Sequence, residues 1–408
     1  MSDDLRILIV TYLSSPDQGI GANRWYSLAE RLTENATVDL LTNNAPNALR
    51  DGSNAGYRKI HYFNSRYPNY LSGENLSLIG KLKYRLRVFF ESNIRLVNPF
   101  DRSAFDEEEM SQALDDLCAN ERYDCVIVTG APFMLSYLVA KYCQGVQQRV
   151  WVDWRDPWTW ASAYGMSLLS AGAKKRQLQM QDETVAMADC VSVPVEPMYR
   201  YLFNRYSNFR DKILHLPHGF DGRLSKRIGL HRNTKPSMYS FIYGGTVYDG
   251  TEAMIQKWVL RMDELKIDYH LDIYAFNAHS LRKEAALAHP SIRIHDPVEK
   301  AELFEKILDS SAYIAFFPSR YKDLFSTKFI EIISLKRPVL LIAEEGELST
   351  TLTAFEAVVH VKPNELNQLT LASLDKLQHC EVDQSKLADY EFGQLSSQIL
   401  SRIRGWKH

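Results

Sequence analysis

The sequence predicts an α/β protein built from two doubly wound domains in tandem. Three features carry that expectation. Short apolar runs alternate with helix-like stretches, as in successive parallel βαβ units. The runs fall into two series, separated by a stretch with turn residues and basic side chains but little apolar periodicity. The length, 408 residues, exceeds what one hydrophobic core usually holds.

In chain order, Leu5–Thr11 reads as a buried first strand, followed by a loop of small and turn-forming residues at 14–21. A helix is expected over residues 22–34, where Trp25, Leu28, Ala29 and Leu32 recur at helical spacing. Further strands are expected at 37–42, 125–129, 149–153, 190–193 and 212–216. They complete an N-terminal domain over residues 1–215, and a linker follows at 216–236. A second series, at 239–243, 270–274, 292–295, 312–317, 338–342 and 357–361, forms a C-terminal domain over 237–385, with a final helical segment at 386–408. In open parallel sheets the strand C-terminal edges hold the ligand, so the sites are expected there, facing a cleft between the domains.

Composition narrows the function classes. Hydrophobic residues at 45% and charged residues at 24% exclude a largely disordered chain. A net charge of −2 gives no global reason to expect a nucleic-acid partner. The five cysteines lack CxxC spacing, which argues against a zinc site and suits a reducing compartment. Cys125, in an apolar run, reads as a small buried hydrophobe. The sequence shows neither a signal-peptide pattern nor an uncharged apolar run of membrane-spanning length, so a cytoplasmic protein is expected.

The richest segment runs from Ala312 to Val339. It reads as a strand, a polar loop, a helix opening at Ser326 or Thr327, a turn and another strand. A helix opening on Ser or Thr offers free N–H groups to an anion. Lys328 in its first turn opposes the helix dipole unless it meets a phosphate, and Glu331 lies one turn on. An amphipathic surface helix explains the same residues equally well.

This segment resembles the donor-site segment of the retaining GT-B glycosyltransferases of family 4, in which two acidic residues separated by seven others precede a Pro-Val strand. Here they are Asp323 and Glu331, followed by Pro338 and Val339. The resemblance implies two Rossmann-like domains of the GT-B type. It implies that Glu331 binds the ribose hydroxyls of a UDP- or GDP-sugar, that Asp323 contacts the transferred sugar, and that backbone near Ser326 and Thr327 holds the diphosphate. No cofactor beyond the donor is implied, and no metal. Gly19 and Gly21 resemble the glycine loop after the first strand, and the stretch Gly244-Gly245-Thr246 resembles the turn that faces the diphosphate. His295-Asp296-Pro297-Val298 resembles the segment that binds the base, and His218-Gly219-Phe220-Asp221 the linker element. The last helix, at 389–406, is expected to return to the N-terminal domain. The family's arginine and lysine after the glycine turn are missing from Thr246-Val247-Tyr248-Asp249-Gly250, which leaves Arg320, Lys322 and Lys328 as the nearest cations.

In the first domain, Asp153-Trp154-Arg155-Asp156-Pro157-Trp158 ends a buried strand and resembles an element of some bacterial polysaccharide glycosyltransferases. Asp156 is the candidate that orients or deprotonates an acceptor hydroxyl, with Asp153 structural; Asp153, Arg155, Trp158 and Gly130 are placed on the acceptor side. The alternative is that Asp156 caps a turn before proline while Trp158 and Trp160 fill the core. Residues 79–96 hold five basic residues and one acid, interleaved with Leu82, Leu86, Phe89, Phe90 and Ile94, as in a helix lying on anionic lipid. An ordinary helix packed on the first domain is the competing reading. Together these features predict transfer of a sugar from a nucleotide-sugar to a glycan or lipid-linked acceptor, with the chain peripheral on the inner face of the cell membrane. A nucleotide-sugar epimerase and an inactive sugar-nucleotide-binding scaffold are the rivals.

Overall fold

The computed structural model describes residues 5–13, 20–44, 56–68, 71, 78–160, 164–223, 238–284, 287–321, 328–356, 358–379 and 382–406. Of the residues singled out above, Gly19, Lys322, Asp323, Ser326 and Thr327 lie outside this set. The chain divides into two compact units, one of Met1–Pro217 with Leu395–His408, the other of His218–Gln394.

The first unit holds a seven-stranded parallel sheet in the order β3-β2-β1-β4-β5-β6-β7. Its strands are β1 (Leu5–Thr11), β2 (Ala36–Asn43), β3 (Lys59–Phe63), β4 (Cys125–Gly130), β5 (Val150–Trp154), β6 (Cys190–Val193) and β7 (Ile213–His215). The central strands are buried on both faces, so they read as continuous apolar runs. Helix Phe133–Gly145 and helix Ala171–Met187 cover the sheet, the latter capped by Ser170 Oγ, which accepts the Ala173 N–H at 3.2 Å. Within this unit Trp406, at the chain's end, lies 6.2 Å from Trp151 of β5, ring to ring.

The second unit holds a six-stranded parallel sheet in the order β10-β9-β8-β11-β12-β13. Its strands are β8 (Tyr239–Gly245), β9 (Tyr269–Ala275), β10 (Ile292–His295), β11 (Ala312–Phe317), β12 (Val339–Ala343) and β13 (Val358–Val361). Trp258 centres its core, edge-on to Phe241 at 5.2 Å and Tyr269 at 5.3 Å. Pairing of β8 with β11 is confined to Ala312↔Phe241 and Tyr313↔Ile242, after which the two strands part. That is where the strand order reverses, and such a reversal opens a ligand crevice at the strand C-terminal ends.

The predicted strands form within two residues of their expected ends. Two local expectations change. Helix Ile20–Leu32 begins two residues early, so Gly21 sits in its first turn instead of the preceding loop. Strand β3 was not expected: it is an edge strand whose five residues include only one buried side chain, Phe63, and it carries charge at Lys59. Edge strands are commonly charged because that blocks pairing with other chains, which also removes the apolar run. Arg58 beside it donates to the buried Asp39 at 2.5 Å; burial favours the neutral acid, but the hydrogen bonds from Arg58 and Tyr123 hold its pKa below the usual carboxylate value.

Candidate functional site

In the second unit the reversal point gathers Gly244, Gly245 and Lys328. Gly244 is buried at the end of β8, and a Cβ there would meet Leu303 Cδ2 at 2.7 Å. Its carbonyl accepts the Tyr313 hydroxyl at 3.0 Å and Lys328 Nζ at 3.1 Å. Gly245 has φ +118°, a backbone region that favours glycine, and a Cβ would stand 3.0 Å from Lys328 Nζ. Among the described residues, the absent side chain thus leaves the ammonium uncovered on that side. Lys328 opens helix Lys328–Ser334, and its Nζ also lies over the Tyr243 ring at 5.2 Å. No described carboxylate pairs with it, and burial pushes its pKa down to about 8.

The other donor candidates are already engaged. Glu331 accepts Lys300 Nζ at 2.5 Å. Burial raises the Glu331 pKa, while Lys300 pulls it back. His295, at the end of β10, stacks on Tyr274 at 4.6 Å and its Nε2 lies 2.6 Å from Asp272. A carboxylate on one ring nitrogen fixes the orientation of the imidazole. Arg320 donates to the Asp249 carbonyl at 2.7 Å and pairs with its carboxylate at 2.8 Å, so it is turned toward the loop after β8. Thr246 is exposed, and its carbonyl accepts the Tyr243 hydroxyl at 2.6 Å.

In the first unit the element that ends β5 separates into structural and exposed parts. Asp153 is fully buried and accepts Trp25 Nε1 at 2.7 Å, Ser192 Oγ at 2.6 Å and Arg24 Nε at 3.4 Å. Arg24 is buried too, donating to the carbonyls of Leu216 at 2.7 Å and Pro217 at 2.6 Å. Asp153 therefore has no surface to offer an acceptor. Trp158 takes the core alternative: it is fully buried, stacked on Phe133 at 5.5 Å, with its indole N–H on Gln177 Oε1 at 3.1 Å. Gly130 is closed in as well, since a Cβ would meet Ser136 Oγ at 3.0 Å and Trp154 at 3.3 Å. Arg155 holds the loop after Gly130, donating to the Ala131 carbonyl at 2.9 Å. Asp156 remains partly exposed, and its carboxylate accepts the Tyr164 hydroxyl at 2.6 Å.

Several contributors escaped the sequence reading. Tyr164 has no motif around it beyond the Tyr-Gly pair, and it lies edge-on to Phe133 at 5.3 Å while it holds Asp156. Asp101 is buried and accepts the N–H groups of Phe133 at 2.7 Å and Met134 at 3.0 Å. It thus fills the anion position at the start of helix Phe133–Gly145 with the protein's own carboxylate. Burial pushes its pKa up against the pull of those hydrogen bonds. Gly165 fixes the Tyr164 turn, with φ +77° and a hypothetical Cβ only 2.1 Å from the Phe100 ring. Gly165→Ala is expected to lower stability by about 2 kcal/mol through overpacking and backbone strain, read as a shifted urea midpoint. A midpoint equal to the parent's would show that the turn relaxes freely.

No protein-family model matches the chain, and no curated protein matches it. Its structure is similar to solved structures across nearly its whole length. A glycosyltransferase from Rickettsia africae ESF-5 aligns with a TM-score of 0.60 at 12% identity, covering 99% of this chain and 98% of that one. The UDP-GlcNAc 2-epimerase of Neisseria meningitidis, bound to UDP-GlcNAc, aligns at 0.56 and 13%, covering 98% and 100%. The glycotransferase of kitacinnamycin aligns at 0.55 and 11%, covering 98% and 99%. At such identities the likeness concerns the fold: two parallel sheets with flanking helices, the two-domain Rossmann-like GT-B architecture.

Proposed function

We propose that the chain is a glycosyltransferase of the family 4 type that moves a sugar from a nucleotide-sugar to a hydroxyl acceptor in the assembly of a surface glycan. The observation that carries the reading is Lys328, an ammonium without a described carboxylate partner beside two glycines at the strand-order reversal. A desolvated cation with one face left open favours an anion, and a nucleoside diphosphate supplies one. As the bond from the anomeric carbon to the diphosphate breaks, negative charge grows on the leaving oxygen, and Lys328 stabilises it. The acceptor oxygen forms the new bond to the anomeric carbon while its hydroxyl proton passes to the departing diphosphate oxygen, and Asp156, oriented by Tyr164, is the carboxylate that positions the acceptor hydroxyl. Glu331 binds the ribose diol, exchanging its contact with Lys300 for two hydroxyls.

A nucleotide-sugar epimerase is the second reading, favoured by likeness to UDP-GlcNAc 2-epimerases such as that of Neisseria meningitidis. A panel of UDP-, GDP- and dTDP-sugars separates the two. Transferase chemistry predicts a raised Tm with one nucleotide class and slow hydrolysis of its sugar without acceptor. Interconversion of the sugar at its ring carbons would establish the epimerase instead. Glu331→Ala is expected to weaken binding of the stabilising nucleotide about tenfold or more, as its charge-assisted contacts to the ribose hydroxyls are lost. Unchanged affinity would remove Glu331 from the donor site.

A further inference from the structure

Helix Leu78–Asn93 carries a feature that sugar-nucleotide chemistry does not use. Ile79, Leu82, Leu86, Phe89 and Phe90, with Ile94 just beyond, are each between 45% and 70% exposed. At 3.6 residues per turn the five within the helix fall in an arc of about 100°. Lys83 and Arg87 flank one side of that arc, and Lys81 and Arg85 flank the other. The opposite face is anchored. Glu91 is buried and accepts Arg87 at 2.6 Å and Arg95 at 3.3 Å, and Ser92 Oγ accepts the Ser170 N–H at 2.9 Å. Leu168, two residues before Ser170, is exposed as well.

An exposed apolar stripe of this extent on a globular unit marks an interaction surface. Its charges indicate the partner. The segment has five basic residues, and its single acid, Glu91, is buried and committed to two of them. Lys81, Lys83 and Arg85 pair with no described carboxylate. A second copy would present the same patch in return, setting cations against cations. An anionic bilayer accepts both parts: the stripe enters the acyl boundary and the flanking ammonium and guanidinium groups meet lipid phosphates.

We infer that the outer face of helix Leu78–Asn93 is a docking surface for an anionic membrane. The helix is also tied to the candidate acceptor carboxylate. Asn98, five residues beyond its end, donates to the Tyr164 carbonyl at 3.1 Å, and the Tyr164 hydroxyl donates to Asp156 at 2.6 Å. Docking therefore fixes Asp156 relative to the lipid surface, and, on the transferase reading, it selects acceptors whose hydroxyl is carried on a lipid.

The test is co-sedimentation of the full chain with vesicles of phosphatidylcholine and phosphatidylglycerol, two to one, against phosphatidylcholine alone. Binding is expected to the anionic vesicles and to fade as salt screens the charges. Lys81→Gln, Lys83→Gln and Arg85→Gln together are expected to lower partitioning about 100-fold, since each basic residue near an anionic surface contributes about fivefold. Leu86→Gln with Phe89→Gln is expected to lower it at least tenfold, and both variants change exposed side chains only. Equal binding to both vesicle types overturns the inference, as does no binding by the parent. So does a concentration-dependent dimer, in analytical ultracentrifugation, that Leu86→Gln with Phe89→Gln abolishes while leaving vesicle binding intact. Nucleotide-induced Tm shifts, measured on the same variants, should match the parent; losing them in every protein would defeat the transferase reading without touching the membrane result.

Discussion

Asp153→Ala is expected to destabilise the N-terminal unit by about 3–5 kcal/mol, the usual effect of removing one partner from a buried ion pair. The side chain is fully buried and serves three donors at once: Arg24 Nε, Trp25 Nε1 and Ser192 Oγ. Its loss leaves the buried Arg24 guanidinium with the carbonyls of Leu216 and Pro217 as its remaining partners among the described residues. Trp25 and Ser192 lose an acceptor in the same step. Asp153→Asn keeps one acceptor oxygen but removes the charge, so a smaller loss is expected. Asp156→Asn, three residues on, is expected to leave the urea midpoint unchanged and to depress transfer, because that carboxylate is partly exposed and, among the described residues, is hydrogen-bonded to Tyr164 alone. The comparison separates a structural Asp153 from a functional Asp156. A stability for Asp153→Ala within about 1 kcal/mol of the parent would mean that the network is not holding helix Ile20–Leu32, β5 and β6 together as described.

That separation shows where sequence reading succeeds and where it ends. Parallel strands buried on both faces announce themselves as apolar runs, which is why β4, β5, β11 and β12 were legible almost to the residue. β3 was not, because an edge strand with one buried side chain has no such run. At the sites, the position of Asp156 after a strand end was visible, but the identity of its holder was not. Tyr164 reaches it from a turn whose shape depends on Gly165 packing against Phe100. Lys300 meets Glu331 from another helix, and Arg24 meets Asp153 from helix Ile20–Leu32, contacts set by packing between elements distant in sequence. Trp158 illustrates the converse: its motif places it on the acceptor side, yet its ring completes the core with Phe133 and Trp154, the alternative the same residues allowed.

Lys328→Met is expected to weaken nucleoside-diphosphate binding roughly 100-fold at pH 7, and the loss should depend on pH in a diagnostic way. In the free protein burial pushes Lys328 down to about 8. A bound diphosphate favours the charged form and raises that pKa. Between the two values the complex holds a proton that the free protein lacks, so binding takes up a proton and affinity falls as pH rises above about 8. Below that range Lys328 is charged in both states and contributes no slope. Calorimetry at pH 8.5 in buffers of different ionisation enthalpy should therefore show proton uptake with the parent and none with Lys328→Met. The affinities of the two proteins should converge as pH rises, since the parent then loses the charge that the variant never had. Lys328→Arg keeps its charge throughout, so its affinity should be flat over the same range. A parent that binds the diphosphate with no proton uptake would place the anion elsewhere, because a half-buried ammonium already poised near 8 must respond to a dianion in contact with it.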